Sequence, residues 1–138
     1  MLSGVWERGG MRTSRQRSGD WAEQRALRLL RCQGWRLLSR QWHCRWGELD
    51  LVLAKPGRVL LVEVKARGLG ARPAEQRGVG VGTGGWALGA AKRRRLERAW
   101  HCWLADHPTW AEASVEWVAA LVPLPPSRQG VRWVRLER

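Results

Sequence analysis

The stretch from Gly47 to Arg67 constrains this chain most, because two strand-like runs meet there at a turn and carry charged residues with them. The runs Glu48 to Ala54 and Arg58 to Lys65 are rich in Leu and Val, and Lys55-Pro56-Gly57 between them supplies the residues that close a hairpin. Alternation puts Leu49, Leu51 and Leu53 on one face of the first strand, and Leu60, Val62 and Val64 on one face of the second. A pairing centred on Pro56-Gly57 brings those apolar sets together. The same pairing sets Asp50 opposite Glu63 and Glu48 opposite Lys65. Directly opposed side chains have Cβ atoms roughly 5 Å apart, where like charges are destabilising, so an Asp–Glu pair at this point needs a reason.

Metal-assisted attack on a phosphodiester supplies one. Asp50 and Glu63 are hard oxygen ligands of the kind that Mg²⁺ takes while keeping several waters and bridging to substrate phosphate, and Mn²⁺ suits the same donors. Lys65, two residues from Glu63 and on the same face, is placed to orient or deprotonate the attacking water and to offset phosphate charge. The plain alternative is a solvated cross-strand ion pair, the commonest role of a Glu-x-Lys on a strand. Surroundings must therefore decide between them.

Gly19-Asp20-Trp21-Ala22-Glu23 opening a helix, Gly47-Glu48-Leu49-Asp50-Leu51-Val52, Val62-Glu63-Val64-Lys65-Ala66-Arg67, and Lys92 in a second helix occur in that order. The set resembles the YraN family of small bacterial proteins, itself similar to archaeal Holliday-junction resolvases and to restriction-endonuclease-like nucleases with the PD-(D/E)XK signature. The resemblance spans residues 17 to 122. It implies a restriction-endonuclease-like sandwich and a metal-dependent endonuclease acting on structured, branched DNA with Mg²⁺ or Mn²⁺. Matched residue by residue, Asp50, Glu63 and Lys65 correspond to the nuclease triad, with Asp50 and Glu63 as the metal ligands. Glu23 corresponds to the helix glutamate that often completes it. Arg67 and Lys92 match basic positions of the family and read, with Arg93 beside them, as nucleic-acid contacts; Glu48 is a supporting carboxylate. Resolvases of that group cut as two-fold dimers, which implies a homodimer. Function still has to be argued from the site, so a catalytically silent nucleic-acid-binding module with the same fold stands as the alternative.

The chain departs from the family pattern in three places. Gln41-Trp42-His43-Cys44-Arg45-Trp46 stands where an Asn and an Arg are usual. The loop after Arg67 is long and glycine-rich, ending Gly78-Val79-Gly80-Val81-Gly82-Thr83-Gly84-Gly85. Glu116 in Ser114-Val115-Glu116 replaces an aspartate. None of these changes touches the proposed metal residues.

Composition narrows the partners. Lys and Arg number 25 against 12 acids, a formal charge of +13, which points to a polyanion, nucleic acid before an anionic membrane surface. No apolar run approaches the roughly 20 residues of a membrane span, and the start of the chain lacks the apolar stretch of a signal peptide, so a cytoplasmic protein is expected. Eleven tryptophans with no Phe or Tyr imply that Trp fills core positions. Trp42, Trp46 and Trp86 flank the proposed site, where stacking on unpaired bases is the competing role. Cys32, Cys44 and Cys102 lack zinc-motif spacing and read as reduced thiols.

A basic tail, residues 1 to 17, is expected to be disordered ahead of a single domain over 18 to 138. The first helix reads as capped by Asp20 with Glu23 completing a capping box, with Ala22, Ala26, Leu29, Leu30 and Gln33 on one face, and it stops at Gly34. A strand over 35 to 42 precedes the hairpin. The second helix, 86 to 106, buries Leu96, Ala99, Trp100, Trp103 and Leu104, and crowds Lys92 to Arg95 at its start. Strands over 115 to 122 and 131 to 136 complete an α/β fold with a mixed central sheet. Apolar residues on both faces of the hairpin place it between helices.

Overall fold

The computed structural model describes residues 13–68 and 89–136. Helix α1 (Ser14–Cys32) leads into β1 (Arg36–Cys44), β2 (Gly47–Lys55) and β3 (Arg58–Arg67). Helix α2 (Ala90–Asp106), a 3₁₀ turn (Pro108–Trp110), β4 (Ser114–Pro123) and β5 (Arg132–Leu136) follow. The strands form one sheet in the order β1-β2-β3-β4-β5. Only β3 and β4 run parallel, joined by the crossover that contains α2; the other neighbours are antiparallel. The α/β architecture with a mixed central sheet is the one expected.

Each helix covers one face of the sheet. Ala22, Ala26, Leu27 and Leu30 of α1 pack with Leu51, Leu53, Leu60 and Val62. Leu96, Ala99, Trp100 and Trp103 of α2 pack with Val52, Val59, Leu61 and Trp117 on the opposite face. The hairpin alternates between two cores, and for that reason its strands are apolar almost throughout. Trp35, Trp100, Trp103 and Trp117 are buried, as expected of tryptophan in core positions, whereas Trp21 and Trp133 are exposed. Trp86 and the glycine-rich loop lie outside the described residues.

The start of α1 differs from expectation. Thr13 is the N-cap, its hydroxyl accepting from the Gln16 N–H (3.1 Å) while the Gln16 side chain accepts from the Thr13 N–H (2.9 Å). Thr-x-x-Gln is thus the capping box in use, and the helix-favouring Arg and Gln residues that follow carry the helix through Asp20. Ser14 to Arg17, read as tail, form its first turn, and residues 1–12 lie outside the described residues. Leu27 is buried where Leu29 was expected; Leu29 is exposed. Gly34, with φ +90°, ends the helix as expected.

The hairpin register is the one derived from the apolar pattern, with Lys55 paired to Arg58 and Leu51 to Val62. Pro56 and Gly57 form the turn, and the positive φ of Gly57 (+71°) is the backbone state that glycine adopts without strain. The ladder ends one residue short of Asp50 and Glu63. Continued regularly, it would pair Val64 with Leu49, but the Val64 N–H donates instead to Asp50 Oδ2 at 2.8 Å. Leu49 joins the α2-side core, out of step with Leu51 and Leu53, against the expectation that all three share a face. The carboxylate has replaced a backbone acceptor, and the two strands part where the acids stand.

Candidate active site

The parting of β2 and β3 beside the start of α2 opens a cleft of about 340 Å³. Asp50 and Glu63 both line it, with Glu48 and Trp46 from the β2 side and Lys92 and Arg95 from α2. Glu63 Oε1 is contacted by Lys92 Nζ at 3.0 Å and by Lys65 Nζ at 3.4 Å. Asp50, Glu63, Lys65 and Lys92, separated by up to 42 positions in sequence, thus form one group.

Burial and charge set their protonation. Desolvation, reinforced by the Glu63 carboxylate, pushes Asp50 from its usual 3.8 up to about 7 against the opposing pull of the Val64 N–H. Lys65 lies below the ordinary lysine range because burial disfavours its charge, and Lys92 adds to this against the attraction of Glu63. Burial also pulls Lys92 down, but the charge and hydrogen bond of Glu63 outweigh it and leave Lys92 raised. A carboxylic acid poised near neutrality, next to a second carboxylate that a lysine with a weakened hold on its proton contacts, is an arrangement suited to acid–base and cation chemistry.

The folded protein holds a proton on Asp50 more tightly than the unfolded chain does. Stability therefore falls as pH rises from about 4 to about 7, because the native state binds more protons across that window. Asp50→Asn keeps an oxygen to accept from Val64 and removes the buried charge. Melts without divalent cations should show the variant more stable than wild type at pH 8, by about 2 kcal/mol, with the gain gone at pH 4. A variant less stable at pH 8 would refute the assignment.

Several expected residues occupy other positions. Glu48 does not face Lys65; it stands across β1 and β2 from His43, 3.6 Å away, because those strands stay paired to their ends. Glu23 is 5% exposed, and it caps nothing. Arg40 Nε donates to its Oε1 and the Gln41 amide to its Oε2 (3.1 Å). It lies near enough to raise the Asp50 pKa, though as a weak contribution. Gln41 reaches it from a positive φ of 48°, a backbone state uncommon outside glycine. Arg67 lies at the end of β3, and neither it nor Arg93 is among the residues lining the cleft. Glu116 is not among the residues lining the cleft; Arg135 and Arg58 each bind it at 3.2 Å, and their hydrogen bonds hold its carboxyl below the usual range. Arg95 was read only as one of four cations crowding the start of α2, since nothing in such a run marks which one the helix turns toward a cleft, and Arg45 and Arg98 went unassigned.

Asp50 and Glu63 share the cleft and feel each other's charge, and two neighbouring carboxylates of this kind suit a hydrated divalent cation. Among the described residues no group of three or more His, Cys, Asp or Glu has metal-binding geometry, so water or substrate would complete the coordination. No helix among them is long and apolar enough to cross a membrane.

The model of the uncharacterised protein family UPF0102 matches residues 22–122. A UPF0102 protein of Prochlorococcus marinus strain MIT 9303 is 52% identical over 124 residues, covering 88% of this chain and 90% of its own. One from Parasynechococcus marenigrum strain WH8102 is 46% identical, covering 89% and 84%. One from Pseudomonas entomophila strain L48 is 37% identical, covering 86% and 89%. By family model and by identity over most of its length, the chain belongs to the UPF0102 family, the YraN group to which its motifs are similar.

Proposed function

We propose that the Asp50–Glu63 cleft is a divalent-cation-dependent phosphodiester hydrolase site acting on structured, branched DNA. One observation carries the reading: two carboxylates line the cleft where the sheet parts, and a lysine of lowered pKa reaches one of them, Glu63, at a point where folding stability alone would favour apolar or neutral residues. Asp50 and Glu63 would hold Mg²⁺ or Mn²⁺, which when bound polarises the phosphoryl oxygen and activates water. Lys65 accepts a proton from the attacking water in its neutral form. Lys92 holds Glu63 in place and meets phosphate charge. The basic balance of the chain favours a nucleic-acid substrate.

A second reading is favoured by the contacts on Glu63. Two ammonium groups already share its Oε1 and neutralise it, as a silent nucleic-acid-binding module with this fold would have them. Labelled duplex, flap and four-way-junction DNA incubated with Mn²⁺ or Mg²⁺ separates the two. Cation-dependent cutting that Asp50→Ala and Lys65→Ala remove supports the hydrolase, and binding without cutting leaves the module. An independent readout is the melting temperature at pH 8, which millimolar Mn²⁺ should raise in wild type and leave unmoved in Asp50→Asn. A wild type that no cation stabilises counts against the metal site.

A further inference from the structure

Trp46 lines the same cleft as Asp50 and Glu63, and it carries two arginines. The guanidinium carbon of Arg45 stands 4.7 Å from its ring centroid and that of Arg98, from α2, stands 4.6 Å away. Both arginines are exposed, and so is Arg95, which lines the cleft directly. Among the described residues none of the three forms an ion pair with a carboxylate. Two like charges held on one ring, with no carboxylate ion-paired to either among the described residues, repel each other. The quadrupole of the indole offsets part of that cost, and an anion between or beside them would remove the rest. Planar guanidiniums present paired N–H donors, which match phosphate oxygens better than those of a carbonyl or hydroxyl.

We propose that Arg45 and Arg98, held in place by Trp46, form a clamp for a backbone phosphate of the nucleic-acid strand that enters the cleft, with Arg95 on the path between the clamp and the carboxylates. The proposal rests on the nucleic-acid reading of the cleft. Trp46 is the positioning residue: it fixes two long side chains that would otherwise lose rotamer freedom on binding.

Anisotropy of labelled duplex and junction DNA, with EDTA present so that cutting does not intervene, tests the clamp. The double variant Arg45→Ala/Arg98→Ala should bind about 10-fold more weakly at moderate salt, and the slope of log affinity against log salt should flatten by roughly 1.8, the share of two phosphates. Trp46→Leu removes no charge yet should weaken binding roughly 5-fold by releasing both arginines, and Trp46→Phe should restore most of it. Arg28→Ala/Arg31→Ala, an equal loss of charge on exposed positions of α1, is the control and should have the smaller effect. Equal losses in the control and clamp variants, or a Trp46→Leu variant that binds as wild type, would overturn the clamp. Cleavage that needs Asp50 together with undiminished binding by the double variant sinks the clamp alone. Clamp-dependent binding without cleavage sinks the hydrolase and leaves the clamp standing.

Discussion

Asp50→Asn and Lys65→Ala are each expected to lower cation-dependent DNA cleavage by about 10³-fold, while DNA binding stays within a few-fold of wild type. Loss of a ligand carboxylate removes a transition-state interaction worth several kcal/mol, and every 1.36 kcal/mol is about tenfold in rate. Lys65→Arg sharpens the test. Arginine keeps the positive charge but does not give up its proton in a protein, so a variant as slow as Lys65→Ala assigns Lys65 to proton transfer. A variant that recovers most of the rate assigns it to charge alone. The pH profile carries a second signature, because the carboxylate and not the acid binds a cation. With Asp50 titrating at about 7, cation affinity and rate should rise through neutrality and level off above it. Cutting that persists equally in every variant would mark a contaminant and end the catalytic assignment.

Trp103→Ala is expected to cost about 3–5 kcal/mol, the largest stability loss of any single truncation in the α2-side core. The side chain is fully buried at 0% exposure. It stacks on Trp100 with centroids 5.3 Å apart and on the His107 ring at 3.9 Å, and its indole N–H donates to Ser39 Oγ at 2.8 Å. Truncation opens a cavity between α2 and the sheet and leaves the Ser39 hydroxyl without its donor. Domains of this size are stable by about 5–15 kcal/mol, so the variant should melt at least about 10 °C lower. Trp103→Phe, which keeps the ring contact and loses the hydrogen bond, should lose less than half as much. Thermal or denaturant melts decide it, and a loss under about 1 kcal/mol for alanine would mean that Trp103 does not anchor α2.

These effects trace to residues of different legibility. Strand periodicity and the Pro56-Gly57 turn sufficed for the hairpin register, since a slip of one residue would turn every Leu and Val to the wrong core. The α2 stripe was readable for the same reason: a helix that packs on a sheet must repeat its apolar residues every three or four positions. The N-terminus of α1 was not. Thr13-x-x-Gln16 and Asp20-x-x-Glu23 are both capping boxes by pattern, and local sequence holds no term that ranks them. What separates them is Glu23 itself, which is buried against Arg40 and Gln41 and so is unavailable to cap a helix.

The sequence by itself determined the α/β order of elements, the hairpin register and the coincidence of Asp50, Glu63 and Lys65, because these depend on alternation and on neighbours close along the chain. Tertiary structure alone decided what those groups became. It ended the β2–β3 ladder at Asp50 by giving the Val64 N–H a carboxylate to bond, and it brought Lys92 to Glu63 from the helix within the β3–β4 crossover. It buried Asp50 enough to hold its proton near neutrality, and it laid Arg98 on the ring of Trp46. Desolvation and through-space charge depend on what packs nearby in three dimensions, which no spacing within one strand or helix records.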